Sequence, residues 1–247
     1  MTVLPAVLMA AAGVLCQAES DPHPAVVVEL FTSQGCSSCP PADRWLGSLV
    51  PRYGSRVIPL SLHVGYWDYI GWKDPFARRE FNERQQLLAA SGSRSVYTPG
   101  VFVQGREFSD WRNASSFEGA VRSTQGGVAV ARVGITVESV APAAIEVRAR
   151  VEAPSGARLW LALVQSGLTT AVGAGENRGQ TLHNDHVVRD WQGPLPLTGV
   201  ARTLRVPEAA SDRAAWSVVA LVDDAAGRTL QAVRLPLDDC RAGTSPR

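Results

Sequence analysis

Across 247 residues, 24 Lys and Arg balance 23 Asp and Glu, for a formal net charge of +1. That near-neutrality lacks the basic field expected of a protein that binds nucleic acid or an anionic membrane surface. The length admits one large domain or two small ones. No apolar stretch of about twenty residues follows the N-terminus, so no membrane span is expected.

Val3 to Leu15 is an apolar run rich in Ala, Val and Leu, the length of the apolar core of a secretory leader. Cys16-Gln17-Ala18 offers small residues for cleavage after Ala18. No Lys or Arg precedes the run, so only the terminal amine supplies positive charge. Residues 1–18 are therefore expected to be a signal peptide and the protein to be exported, to the periplasm or beyond. The alternative is an N-terminal helix of a cytosolic protein. A lipid anchor on Cys16 is disfavoured by the bulk of Leu15. Cleavage after Ala18 leaves Cys36, Cys39 and Cys240 in a compartment where disulfides persist. Cys240, near a tail of Arg, Gly, Ser and Pro, is expected to be an inert thiol in a frayed terminus rather than a free surface thiol or an intermolecular bridge.

Ala25 to Phe31 is a nearly continuous apolar run, which suits a strand buried on both faces. Cys36-Ser37-Ser38-Cys39 follows it, and Pro40 and Pro41 fit the first turn of a helix that continues through Trp45, Leu46 and Leu49. A strand that delivers a C-x-x-C to a helix start is how a thioredoxin-like fold presents a redox pair. Two intervening residues bring the sulfurs within bonding distance, and the helix N-terminus favours the thiolate of the first. Arg56 to His63 reads as a second strand despite Pro59. Tyr66 to Ser91 is an insertion with a helix expected over Pro75 to Ala90, its apolar face made by Phe76, Phe81, Leu87 and Leu88. Val101 to Val103 is a third strand. The Thr98-Pro99 that opens it is expected to be cis, as in the second redox element of that fold. Asn113 is a plausible N-cap for a helix to Thr124.

Beyond Gly126-Gly127 the pattern changes to alternation: Val128 to Val137, Ile145 to Val151, Leu159 to Leu163, Leu204 with Val206, Trp216 to Val222 and Leu230 to Leu235. Short strands at this spacing suggest a sandwich of about seven strands. The expected architecture is thus an α/β thioredoxin-like domain with a helical insertion over residues 24–126, followed by an all-β sandwich-like domain over residues 127–238.

The stretch Glu29 to Asp43, reading ELFTSQGCSSCPPAD, resembles the signature of a secreted bacterial thioredoxin-like family catalogued only as a domain of unknown function. His63 to Phe76, Arg84-Gln85, Tyr97-Thr98-Pro99, Gly175-Glu176-Asn177 and Val187-Val188-Arg189 are similar to it as well. The resemblance covers most of the chain beyond residue 18. It implies a thioredoxin-like domain carrying the Cys36/Cys39 pair and supplies no substrate. Gly65 departs from the acidic residue expected at its place.

These residues point to thiol–disulfide exchange with the thiols or disulfides of other exported proteins, an oxidoreductase chemistry that requires no cofactor. Cys36, the more exposed thiol, is expected to attack and Cys39 to resolve the mixed disulfide. Thr98 and Pro99 line the groove, with Thr98 backbone groups offered to an extended substrate strand. Tyr66 and Trp67, with Tyr69, Trp72 and Phe76, build an aromatic wall over it or form the insertion's own small core. His63 is a packed strand-end histidine, a base for Cys39, or a metal ligand. Cys36, Cys39 and His63 together form the alternative, a copper or other metal carrier. A third reading is a binding module whose disulfide is structural. Gly173 to Asp190, with His183, Asp185 and His186, is expected to be a polar loop packed against the first domain rather than a metal site.

Overall fold

The computed structural model describes residues 15–92, 95–197, 199–207 and 216–240. In chain order its elements are β1 (Cys16–Glu19), β2 (Val26–Thr32), α1 (Pro40–Gly47), α2 (Leu49–Tyr53), β3 (Val57–His63), α3 (Arg79–Ala90), β4 (Gly100–Val103), β5 (Arg106–Glu107) and α4 (Ala114–Gln125). They continue with β6 (Arg132–Val140), β7 (Ala144–Glu152), β8 (Arg158–Gln165), β9 (Leu168–Ala171), β10 (Thr181–Asn184), β11 (Val187–Leu195), β12 (Val200–Arg205), β13 (Trp216–Asp223) and β14 (Thr229–Pro236). A 3-10 segment, Gly65–Ile70, lies between β3 and α3.

The expected succession of a thioredoxin-like α/β domain and a separate sandwich does not hold. Among the described residues the molecule is mostly strand, and strands from both halves of the sequence share one eight-stranded mixed sheet in the order β14-β13-β8-β11-β3-β2-β4-β5. The join is the parallel pairing of β3 with β11 at Ser61 and Val187. Pro59 explains why this pairing is so short. Ser61 donates its N–H to the His186 carbonyl, so the Pro59 nitrogen two residues earlier faces the same side and has no proton to give. Pairing with β11 begins only beyond it. β1, β6, β7 and β12 make a second, antiparallel sheet, and β9 and β10 form a hairpin of their own.

Period-two alternation makes both faces of the large sheet apolar. On β2, Val26, Val28 and Leu30 join a core with Leu46, Leu49 and Phe117 of α1, α2 and α4, while Val27 and Phe31 face Phe81 and Leu88 of α3. On β8, Leu159, Leu161 and Leu163 pack on the second sheet, while Trp160, Ala162 and Val164 extend the α3 core. α3 therefore spans both halves. Its Arg84 is buried between Glu29 of β2 and Asp223 of β13, and Asp223 also accepts from Arg158 at 3.0 Å. The ends of the sheet curl toward one another: the Thr229 N–H reaches the Gln104 carbonyl at 3.4 Å, and the Ala25 N–H reaches Gln231 Oε1 at 3.0 Å. Gly105, at φ +72°, lies so close to Gly227 that a Cβ there would come within 2.0 Å of the Gly227 carbonyl oxygen.

Several local expectations are met and others shift. Asn113 caps α4, accepting from the Ser115 and Ser116 N–H groups at 3.1 and 3.3 Å. α3 starts at Arg79 rather than Pro75, because Asp74 closes a turn by accepting from the Phe76 N–H, and extended Arg78 donates its N–H to the His63 carbonyl. Val128 and Val130 are exposed, and their strand begins only at Arg132. Cys240 is not an inert thiol: it is disulfide-bonded to Cys16, with a Cα–Cα distance of 4.9 Å. The apolar run of the expected leader falls mostly within residues 1–14, outside the described residues; Cys16–Glu19 pairs with β6. No helix among the described residues is long and apolar enough to cross a membrane.

Candidate functional site around the Cys36–Cys39 disulfide

β2 ends at Thr32, and the chain crosses its end as Ser33-Gln34-Gly35-Cys36-Ser37-Ser38 before Cys39 takes the N-cap of α1. Helix φ/ψ begins early because Pro40 and Pro41 have φ preset and need no donor in the first turn. Cys36 and Cys39 are joined, with Cα atoms 5.5 Å apart. The turn is set by the Cys36 N–H on the Ser33 carbonyl at 3.1 Å and the Cys39 N–H on the Cys36 carbonyl at 3.2 Å. The Ser38 hydroxyl is 3.3 Å from Cys36 Sγ.

Cys36 is not the solvent-facing residue that its place suggests: it is 1% exposed and Cys39 0%. The cover is the loop between β9 and β10. Asn177 donates from its side-chain amide to the carbonyls of Gln34 and Cys36, each at 2.9 Å. Glu176 accepts from both the N–H and the hydroxyl of Ser37 at 2.8 Å, and these bonds hold its carboxyl below the usual range. Of the segment expected to be a polar loop, Gly173 to Gln180 is the loop that packs at the disulfide itself, whereas Thr181–Asn184 and the residues from Val187 onward are strands β10 and β11. Gly175, at φ +74°, allows a close fit against the insertion: a Cβ there would lie 3.1 Å from Ile70 Cδ1.

Gln34 ties these pieces together. Its N–H donates to Asp74 at 2.8 Å, its amide donates to Thr170 and Asn184 of the hairpin at 3.0 and 3.1 Å, and its carbonyl oxygen Oε1 accepts from Trp72 at 3.2 Å. Asp74 also accepts from His63 Nδ1 at 2.7 Å. Burial opposes charge on both members of this pair. The Asp74 carboxylate nevertheless lifts the His63 pKa, and His63 with the N–H groups of Gln34 and Phe76 lowers that of Asp74. Phe76 sits edge-on to the imidazole at 5.2 Å. Behind the disulfide, Asp43 of α1 is raised to about 6, first by burial and further by Asp74, against the pull of His63, Thr32 and Arg44.

The other expected site residues lie on the far side of the loop. The Thr98–Pro99 bond is cis. Gly100 pairs opposite Phe31, which sets Thr98 and Pro99 beside the end of β2. Trp67 links them to the disulfide loop: its Nε1 donates to the Thr98 hydroxyl at 2.7 Å, and its Cβ would lie 3.1 Å from a Cβ on Gly35. Tyr66 is turned inward, donating to Gln85 Oε1 at 3.2 Å, and Gln85 donates to the Tyr97 carbonyl at 2.7 Å. Tyr69 is 82% exposed and contributes no wall. Cys36, Cys39, Thr98, Pro99, Tyr66 and Trp67 thus share one end of the sheet.

His63 is held by Asp74, and no group of three or more His, Cys, Asp or Glu side chains among the described residues is placed to hold a metal ion. The Cys36, Cys39 and His63 set is therefore not assembled as one. His183 and His186 also part company: His183 meets Thr169, and buried His186 meets Ser166. Sequence reasoning gave no role to Gln34, Asp43, Asp74 or Asn177. The available signals were a carboxylate one helical turn after Cys39 and a Glu-Asn pair among glycines.

The family model described as "Protein of unknown function (DUF1223)" matches residues 27–223. The chain belongs to that family. The matched DUF1223 span holds both the Cys36–Cys39 loop and the Glu176–Asn177 loop that covers it. The crystal structure of protein AGR_C_4864 from Agrobacterium tumefaciens is similar, with 27% identity and a TM-score of 0.59 over 85% of this chain and 93% of that one. HBP35 of Porphyromonas gingivalis shares the fold at a TM-score of 0.63 and 15% identity, over 92% of this chain and 80% of that one. No curated protein matches the chain.

Proposed function

We propose that the protein is an exported thiol–disulfide oxidoreductase that exchanges disulfides with other exported proteins through Cys36 and Cys39. The observation that carries this reading is a disulfide closed over two residues at the N-cap of a helix. A helix start favours an anionic sulfur there, and Ser38 offers a hydroxyl beside Cys36 Sγ. In the reducing direction, the Cys36 thiolate attacks a partner disulfide. One partner sulfur leaves as a thiolate, and Cys36 is left in a mixed disulfide. Cys39 then attacks Cys36, the pair is oxidised by two electrons, and the second partner sulfur departs reduced. The opposite direction uses the same bonds in reverse. Attack needs the Glu176–Asn177 loop to lift away, and Thr98, Pro99 and Trp67 then border the opening.

Two disulfides within one chain fit an oxidising compartment. We read the protein as exported; the Cys16–Cys240 bridge supports a leader cut ahead of Cys16 rather than after Ala18. The test is reduction of a scrambled disulfide-bonded protein by glutathione. Cys36→Ser is expected to abolish the acceleration given by the full chain, and full retention by that variant would overturn the reading. The complete burial of both cysteines favours a second reading, a binding module with a structural disulfide. Its mark is a pair that glutathione does not reduce.

A further inference from the structure

α1 turns Ala42, Asp43 and Leu46 into the protein. A carboxylate in that row does nothing for packing. Its N–H donates to the Cys39 carbonyl at 3.1 Å, and residues four apart on a helix share one face. Asp43 is thus the side chain one turn beneath the resolving cysteine. Its Oδ1 is buried without a hydrogen-bond partner, as are Nε2 of His63 and the hydroxyl of Thr32. Thr32 and His63 are register partners at the ends of β2 and β3, the strand ends next to which the Cys36–Cys39 loop and α1 begin. The three groups act on one another, His63 and Thr32 both pulling on the Asp43 carboxyl, without reaching hydrogen-bond geometry. Polar atoms gathered so loosely in a buried place are costly, and such a place is where a chain departs from folding rules for chemistry.

The chemistry wanted there follows from the proposed exchange, on which this inference rests. Cys39 is wholly buried, yet it must lose a proton to become the nucleophile. A carboxylate one helical turn away on the same buried face is placed to take that proton without relying on water to enter. We propose that Asp43 accepts the Cys39 thiol proton in the resolving step, with His63, fixed by Asp74, as the group that positions and balances the Asp43 carboxylate. The Cys39 S–H proton passes to Asp43. The Cys39 thiolate attacks Cys36 Sγ, the Cys36–Cys39 bond forms, and the bond from Cys36 to the partner sulfur breaks. The partner leaves with the electron pair as a thiolate and takes its own proton from water. Asp43 returns its proton to solvent once the pair is closed.

The groups that face Asp43 are Thr32 of β2, His63 of β3, Asp74 of the insertion and Arg44 of its own helix, with Arg189 of β11 acting on His63. Burial brings the carboxyl to about 6, where it is a usable base at neutral pH.

The test uses the full chain with Cys36 and Cys39 reduced and an aromatic disulfide, 5,5′-dithiobis(2-nitrobenzoate). Attack by Cys36 releases one coloured thiolate and attack by Cys39 the second. In the wild-type protein the second release should show an inflection near pH 6. Asp43→Asn should remove that inflection and slow the second release at pH 7 by roughly a hundredfold. The first release should stay unchanged, and Asp43→Glu should restore part of the second. A purely structural role would change neither the inflection nor the ratio of the two releases. If Asp43→Asn does not fold, His63→Gln gives the same test, because losing that cation should move the inflection to higher pH. An unmoved inflection in either variant overturns the role of Asp43 while leaving exchange intact. Absence of a second release in the wild-type protein sinks the exchange reading itself, and this inference with it.

Discussion

The side-chain amide of Asn177 donates to the main-chain carbonyl of Cys36 at 2.9 Å, across 141 positions of sequence. The β-rich half thereby closes the disulfide carried by the first half. Asn177 and Glu176 together make four hydrogen bonds to the loop. Ser37 lies in solvent, so the Glu176 bonds are the weaker anchors, whereas Asn177 is buried.

Asn177→Ala removes two neutral hydrogen bonds, worth about 1 kcal/mol each. It is expected to speed reduction of Cys36–Cys39 by dithiothreitol roughly tenfold or more. Differential alkylation with mass analysis reads the rate for this pair separately from Cys16–Cys240. An unchanged rate would mean that reductant reaches the sulfurs without displacing the loop.

Arg84 holds the two halves together from inside. Its guanidinium pairs with Glu29 at 2.8 Å and with Asp223, and it lies 5.4 Å from the Trp160 ring. Arg84→Ala leaves two buried carboxylates with reduced compensation and is expected to cost about 3–5 kcal/mol in denaturant unfolding. Arg84→Met, which keeps the volume, should cost less. Equal losses would show that charge, not packing, is what Arg84 supplies.

His186 gives a pH signature. Burial, reinforced by Arg234 and opposed by Asp185, lowers its pKa to about 4, so it is neutral in the fold. Between pH 6.5 and 4 the unfolded chain binds a proton there and the folded chain does not, so this group costs stability as pH falls through that window. Asp43, raised to about 6, has the opposite slope between pH 6 and 4, where the folded chain binds the extra proton. Relative to wild type, His186→Gln should therefore gain stability as pH drops from 6.5 to 4. Asp43→Asn should lose stability over pH 6 to 4. Parallel unfolding curves at all pH values would contradict both assignments.

The Cys16–Cys240 bridge spans 224 residues and ties β1 to the chain beyond β14. Replacing both cysteines with Ser should cost about 2–5 kcal/mol while leaving exchange through Cys36 unaltered. Mass analysis of protein recovered after export should show Cys16 retained and bonded. A mature chain that starts after Ala18 would contradict this placement of the cut.

What the sequence disclosed was local. The apolar run of β2, the C-x-x-C, the prolines opening α1 and the Asn113 cap are each set by a few neighbouring residues, and each is found at its place. The sharing of one sheet was hidden because β11 reads VVRDWQGPL, which looks like part of a polar loop, and meets the apolar run of β3 at the single register pair Ser61 and Val187. The site's polar groups were hidden too. Gln34 reads as an ordinary loop residue until Thr170, Asn184, Trp72 and Asp74 arrive from distant segments. Asp43 reads as a surface carboxylate in the first turn of a helix. Only the fit of α1 against β2 and β3 puts it inside.

The most direct measurement is the reduction potential of Cys36–Cys39 in the full protein, equilibrated against glutathione buffers and quantified pair by pair. The exchange reading predicts a value between about −120 and −270 mV, the span of working exchange proteins. A value below about −300 mV would make the bond a structural bridge beneath the Asn177 loop and would contradict the account.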